Sequence, residues 1–115
     1  MSADSMTRVK DKFAAVDGLR LRYIEEGEGP VVLLLHGASL GSSADVFIRN
    51  LAPLARAGFR AIAYDQPGFG LSDVPFDHSP AYRRDSVPKF LDAIGVNVDE
   101  NPVTPERLWR AIRSQ

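Results

Sequence analysis

Two glycine-rich segments have residue types that leave backbone amides open to a ligand. The first, "LLLHGASLGSS" (residues 33–43), passes from three leucines through His36-Gly37 into small residues. The second, "DQPGFGLSD" (residues 65–73), also follows an apolar run. Backbone N–H groups beside small side chains can stabilise a developing oxyanion or a phosphate oxygen. Because ligands of open α/β sheets collect at the carboxyl ends of strands, these loops predict a candidate ligand site.

The side chains available for chemistry are few. The chain has no cysteine, which excludes a thiol nucleophile, a disulfide framework and a Cys-ligated metal. We predict that His36 makes structural hydrogen bonds as it leaves a buried strand, and that His78 is a solvated loop residue. The other candidates are assigned to hydrogen bonding, caps or turns, namely Ser39, Ser42, Ser43, Ser72, Asp45, Asp65 and Asp73. No catalytic residue, metal ligand or cofactor is therefore predicted.

Composition limits the partners. With 115 residues there is room for one domain, and the formal net charge of −1 offers no field that would attract nucleic acid. The longest strongly apolar run, "VVLLL", is far short of the ~20 residues of a spanning helix, and the polar N-terminus lacks the apolar stretch of a signal peptide. We expect a cytoplasmic protein without membrane contact. The sequence has no G-x-x-x-x-G-K-[ST] segment, which disfavours a nucleotide-binding protein.

Strands and helices of an α/β fold position the two loops. Asp17-Gly18 is a turn signal inside residues 12–26, where leucines alternate with arginines, and this pattern predicts a hairpin at a half-exposed sheet edge. Five consecutive apolar residues, Val31–Leu35, predict a strand covered on both faces. Residues 59–68 contain a second strand, so that strand, helix and strand form one βαβ unit.

Apolar spacing predicts two helices. The first, capped by Ser42 or Ser43, ends near Gly58, and Pro53 either interrupts it or starts a second turn. The second begins at Ser79-Pro80 and reaches Gly95, with a kink at Pro88 or a restart there that Ser86 would cap. Their buried residues are predicted to be Phe47, Leu51, Leu54 and Ala55 in the first helix and Val87, Leu91 and Ile94 in the second. We divide the chain into a flexible N-terminus (1–11), a core (12–95) and a loop with a helical tail (96–115).

The ordered pair "VVLLLHGASLGSS" and "RAIAYDQPGFGLSD", with a helix between, resembles the N-terminal part of an α/β-hydrolase-fold protein. The resemblance implies that the Ala38 amide is a donor of the oxyanion hole, with Gly37 and Ser39 shaping its approach. It also implies a structural loop role for His36, Asp65, Gly68, Gly70 and Ser72. The expected fold is a partial α/β-hydrolase fold with an N-terminal hairpin, parallel strands, flanking helices and an incomplete sheet.

The family would place its nucleophile elbow after the helix that ends near Gly95, and its acid and histidine later still. The sequence there, "VNVDENPVTPERLWRAIRSQ", predicts a loop and a helix instead. We therefore predict an incomplete hydrolase that is inactive as this chain, through an internal deletion or a shifted reading frame. The complete enzyme would act on a small molecule through an ester, amide, epoxide or carbon–carbon bond.

The family's strand order places the third strand between the fourth and the fifth. Without the fifth strand, Val31–Leu35 becomes an unpaired apolar edge through which the chain could associate with itself. A non-catalytic interaction module built on the half-fold is the alternative to an incomplete enzyme.

Overall fold

The computed structural model describes residues 9–96. Its first element is the hairpin of β1 (Lys12–Val16) and β2 (Leu19–Glu26), as predicted. Asp17 and Gly18 join these strands with φ angles of 51° and 79°. Two consecutive positive φ values are typical of the tight hairpin turn whose twist matches that of the strands. The outlying segments predicted as a flexible N-terminus and a helical tail fall almost entirely outside the described residues.

The sheet has four strands in the order β1-β2-β4-β3, with β3 at Val31–Leu35 and β4 at Arg60–Tyr64. β1 pairs with β2 and β2 pairs with β4 in antiparallel fashion, whereas β3 and β4 are parallel. The parallel pair requires a crossover, which runs through a 3-10 helix (Ala44–Phe47) and α1 (Ile48–Arg56). Both glycine-rich loops consequently leave carboxyl ends of neighbouring parallel strands.

Alternating residues of β4 divide the core into two apolar layers. Ala61 and Ala63 face the layer that contains Leu51 and Leu54 of α1. Ile62 and Tyr64 face the opposite layer, which contains Phe90 of the second helix, α2 (Pro80–Ala93). The period-two pattern of a strand buried on both faces thus fixes one helix on each side of the sheet. Across residues 9–96, the structure has no helix long and apolar enough to cross a membrane.

The two interior prolines do not divide their helices, so the predicted interruption at Pro53 and the predicted restart at Pro88 are wrong. Pro53 lies inside α1 and Pro88 lies inside the continuous α2. An interior proline lowers helix stability by about 3 kcal/mol. Because Pro88 has no N–H, the carbonyl of Arg84, four residues earlier, has no helical donor. Arg84 and Pro88 are both exposed, so water can reach that carbonyl. Burial of Phe90, which sequence reasoning missed, opposes a break in α2.

Ser86 does not cap a restarted helix as predicted. Its side chain is buried; its hydroxyl lies 2.6 Å from the Arg83 carbonyl oxygen and 2.7 Å from the Tyr64 hydroxyl. The true N-cap of α2 is Ser79, whose hydroxyl accepts from the Tyr82 amide, as the Ser79-Pro80 pair predicted. Ser86 therefore joins the helix to the sheet.

β3 is less covered than its five apolar residues predicted. Only Val32 is buried, and Leu35 is 47% exposed. The reason is position, because β3 lies at the end of the described sheet and pairs with β4 alone. The expectation of an apolar edge at Val31–Leu35 therefore holds within residues 9–96.

Candidate functional site

His36 joins the two loops through its ring and its backbone. The Gln66 amide donates to His36 Nε2 at 3.0 Å, and the Gln66 side-chain amide donates to the His36 carbonyl at 2.7 Å. Because Nε2 must accept, the proton lies on Nδ1, which is 2.6 Å from the Gly37 carbonyl. Both ring nitrogens are occupied and the residue is only 5% exposed. His36 thus positions the loop and has no free nitrogen for proton transfer.

The segment after His36 turns outward with its backbone uncovered. Gly37, Ala38 and Ser39 are all exposed. The carbonyl of Ser39 accepts from the Ser42 amide at 3.0 Å, which closes a turn. No hydrogen bond from the Ala38 amide is formed within residues 9–96. The structure therefore leaves an accessible backbone donor at the carboxyl end of β3.

Gly37-Ala38-Ser39-Leu40-Gly41 has the letters of G-x-S-x-G, a match that the prediction of no nucleophile overlooks. A nucleophile elbow needs a strained strand-to-helix turn that presents the serine to a histidine base. The φ of Ser39 is not positive, since Asp17 is the one non-glycine residue of the described chain with a positive φ. The nearest histidine in the sequence, His36, has both nitrogens engaged. Within residues 9–96, Ser39 therefore lies in an ordinary turn, and no histidine is hydrogen-bonded to its hydroxyl.

Asp65 anchors the second loop from a fully buried position. Its Oδ1 accepts from the Ala44 amide and its Oδ2 from the Leu71 amide, each at 2.7 Å. These bonds tie the end of β4 both to the start of the 3-10 helix and to the turn of the loop. The carboxylate is thereby committed to holding backbone, an arrangement that leaves it no role as a catalytic acid.

The glycines and the serine of the second loop fit around Asp65. Gly70 has a φ of 52°, and a Cβ there would overlap Asp65 Oδ2. Ser72 donates to the Asp65 carbonyl at 2.6 Å and accepts from the Arg22 amide at 2.8 Å. Gly68 has a φ of 90° and donates its amide to the Asp73 carbonyl at 3.0 Å. Gly70 therefore packs against the Asp65 carboxylate and Ser72 bonds to the Asp65 carbonyl, whereas Gly68 closes the loop through Asp73.

Arg22 is the residue of this region that sequence reasoning missed. The Leu/Arg alternation of β2 placed it on an exposed face, yet it is 6% exposed. Its Nη1 lies 3.3 Å from Asp65 Oδ1, and its Nη2 lies 2.8 Å from Asp45 Oδ1 and 2.7 Å from Asp11 Oδ1. A buried aspartate needs a cation or hydrogen-bond donors beside it. An aspartate directly after the apolar run of β4 was therefore the signal in the sequence that a buried cation such as Arg22 could pair with it.

The charges around Arg22 hold it ionised. Burial pushes the pKa of Arg22 down, but hydrogen bonds to Asp45 and Asp11 and the charge of Asp65 raise this pKa above its usual value. This group of charges fixes β2 to the second loop through Asp65 and to the 3-10 helix through Asp45. Removal of one partner from such a group would leave an uncompensated buried charge.

A cavity of about 250 Å³ lies between the loops. The first loop lines it with Leu40, Gly41, Ser42 and Ser43, and the second with Gly68, Phe69 and Gly70. The Phe69 ring also lies 5.1 Å from the His36 ring. The loops predicted to form a ligand site therefore do lie side by side.

The remaining polar candidates lie in caps and turns. Ser43 caps the 3-10 helix by accepting from the Asp45 amide, and Asp73 accepts from the Arg20 amide at 2.8 Å. His78 is exposed. Among residues 9–96 no three His, Asp or Glu side chains form a group that could hold a metal ion.

Known proteins of one fold family resemble this chain in sequence. The family model for the alpha/beta hydrolase fold matches residues 30–105. An epoxide hydrolase of Caballeronia sordidicola is 33% identical over 84% of this chain and 30% of its own length. A 2-hydroxy-6-oxo-6-(2'-aminophenyl)hexa-2,4-dienoic acid hydrolase of Metapseudomonas resinovorans is 33% identical over 65% of this chain and 26% of its length.

A solved structure shows the same likeness in three dimensions. The epoxide hydrolase of Vigna radiata superimposes with a TM-score of 0.70 and 28% identity, covering 79% of this chain and 30% of that one. The chain thus spans about 30% of the length of these relatives. Within that span it has the hairpin, the parallel strands and both loops. The chain belongs to the α/β-hydrolase fold family.

Proposed function

We propose that residues 36–41 form the oxyanion side of an α/β-hydrolase substrate site. The Ala38 amide would donate to an oxygen that becomes negative during reaction, and Gly37 and Ser39 would shape its approach. The observation that carries the proposal is this amide, which lies at the carboxyl end of β3 and has no hydrogen-bond partner within residues 9–96. Family membership supports the assignment, because a loop of this kind supplies oxyanion donors in such enzymes.

The hydrogen bonds that hold the loop at both ends support the same role. A donor stabilises developing charge best when it is already oriented, since no reorganisation is then needed during the reaction. His36 fixes the start of the loop through bonds to Gln66, and the Ser39–Ser42 turn fixes its far end. The adjacent cavity of about 250 Å³ would admit part of a small substrate.

We further propose that this chain alone catalyses no turnover. An oxyanion donor is worth about 10²–10³ in rate, and only after a nucleophile has generated the oxyanion. Ser39 lacks a base, and the ring of His36 is fully engaged. A complete enzyme containing this segment would act on an ester, amide, epoxide or carbon–carbon bond of a small molecule. A cytoplasmic location, testable by cell fractionation, also remains a proposal.

Ester turnover tests the inactivity directly. The chain is incubated with 4-nitrophenyl acetate, and nitrophenol release is compared among the wild type, Ser39→Ala and Ser42→Ala. We expect the same release from all three proteins, without an initial burst. A burst that is lost in Ser39→Ala and kept in Ser42→Ala would show that Ser39 is a nucleophile and would overturn the proposal.

A non-catalytic interaction module is the second candidate function. The edge of β3 favours it, because within residues 9–96 this apolar strand pairs on one side only, and such a strand can accept another.

A further inference from the structure

The backbone groups of β3 point alternately toward β4 and away from it. The Arg60 amide donates to the Pro30 carbonyl at 2.9 Å, and Val32 lies opposite Ala61 in the parallel register. In a parallel pair, every second residue directs both its N–H and its C=O to the neighbour. Val32 and Leu34 therefore bond to β4, and Val31, Leu33 and Leu35 present their amides and carbonyls at the outer edge.

The side chains of β3 are apolar on both faces. Val32 and Leu34 belong to the layer under α1, and Val31 and Leu33 to the layer under α2. Residues 29–44 contain no Asp, Glu, Lys or Arg. The other edge strand, β1, is preceded or begun by Lys10, Asp11 and Lys12. Charged residues at a sheet edge disfavour pairing with a strand of another chain. The β1 edge has this protection and the β3 edge does not.

We propose that two copies of this chain pair through β3 in antiparallel orientation, about a two-fold axis at Leu33. The outward groups of Val31, Leu33 and Leu35 are evenly spaced about Leu33. The two-fold operation therefore places Leu33 opposite Leu33 of the second copy, and Val31 opposite Leu35, with each N–H facing a C=O. The two sheets become one continuous sheet.

The edge is self-complementary, which favours a second copy as the partner. The two-fold axis continues each apolar layer into the same layer of the other copy, so the half-buried Leu33 and Leu34 become covered. No charged side chain of β3 opposes the contact. Residues 97–115 contain six charged residues, two prolines and no run of more than two consecutive apolar residues. This segment therefore lacks the pattern of an apolar strand.

Sedimentation velocity and amide hydrogen exchange of the full chain test the pairing without any substitution. We expect dimers that increase with concentration, and slow exchange at the Leu33 and Leu35 amides in the dimer only. The Val32 and Leu34 amides, bonded to β4, should be protected at every concentration. A monomer at all concentrations, or concentration-dependent protection in β1 instead of β3, would overturn the proposal.

A charge pair tests the register. Leu33→Lys and Leu33→Glu each place like charges opposite one another across the axis, so each variant alone should be monomeric. An equimolar mixture should form a heterodimer, which also shows that both variants fold. The control pair, Phe76→Lys and Phe76→Glu, alters a fully exposed residue outside β3 and should dimerise like the wild type. Dimers of Leu33→Lys alone, or failure of the folded variants to pair when mixed, would refute the register.

Discussion

Substitution of Gly70 by alanine should destabilise the chain far more than the same change at Gly68. Both glycines lie in the second loop with positive φ, 52° at Gly70 and 90° at Gly68. A Cβ at Gly68 meets only Pro75 Cδ at 3.5 Å, an ordinary contact. A Cβ at Gly70 overlaps Oδ2 of Asp65 and lies 2.9 Å from Oδ1. The two variants share backbone strain and differ in the collision with the buried carboxylate.

The magnitudes follow from what Asp65 holds. Left-handed backbone costs a non-glycine residue about 1–2 kcal/mol, which is the full effect expected for Gly68→Ala. In Gly70→Ala, Asp65 must also move away from the Leu71 amide and Arg22, to which it bonds at 2.7 Å and 3.4 Å. Hydrogen bonds to charged groups contribute about 1.5–3 kcal/mol. With the loss of one such bond added to the backbone strain, the total for Gly70→Ala is about 2.5–5 kcal/mol.

Urea denaturation followed by circular dichroism measures both variants against the wild type. The variants differ by about 1.5–3 kcal/mol, and with a slope of about 1–3 kcal/mol per molar urea this difference should shift the midpoint by about 0.5–3 M. Gly18→Ala is a second control, since a Cβ there meets nothing within 4 Å. Equal midpoints for Gly70→Ala and Gly68→Ala would show that the Asp65 carboxylate moves freely, which would refute its role as the anchor of the loop.

Two further predictions concern pH. Burial raises the pKa of Glu25, but its bonds to Arg60 and Lys12 outweigh this effect and lower the pKa below its usual value. Its contribution to stability is therefore present at neutral pH and lost as the pH falls below about 4.3. Urea midpoints between pH 6 and pH 3 should decrease less in Glu25→Gln than in the wild type, and parallel curves would contradict this. Burial raises the pKa of Tyr64 despite its bond to Ser86, so its contribution is present below pH 10 and lost above it. Tyr64→Phe should be less sensitive to pH between 9 and 11, and an unchanged alkaline sensitivity would assign the loss to other groups.

Local sequence signals predicted the elements whose causes are local. The Asp17-Gly18 turn, the apolar run of β3 and the Ser79-Pro80 helix start each depend on a few adjacent residues, and each was found. The same signals failed where tertiary contacts decide. Pro88 alone predicts a break, but the buried Phe90 beside it packs against the sheet and opposes one.

The sequence predicted the two loops of the candidate site but not the buried charged residues that hold them. The glycine-rich patterns identified both loops, because small residues at strand ends are visible in the sequence. The burial of Arg22 depends on Asp65, which is distant in sequence and becomes a neighbour only when β2 pairs with β4. A sequence match can also suggest a site that the structure does not form. Residues 37–41 match the G-x-S-x-G pattern of a nucleophile elbow, but Ser39 lacks the strained backbone that such an elbow requires.

Binding of an oxyanion to the Ala38 amide is the most direct test of the proposed oxyanion site. Nuclear magnetic resonance of the ¹⁵N-labelled chain during titration with methylphosphonate reports whether this amide binds an oxyanion. We predict fast hydrogen exchange at Ala38 in the free chain and, on titration, a downfield proton shift larger at Ala38 than at the Ala57 amide, which bonds inside the α1 cap. Slow exchange at Ala38 in the free chain, or a shift no larger than that of Ala57, would contradict the account.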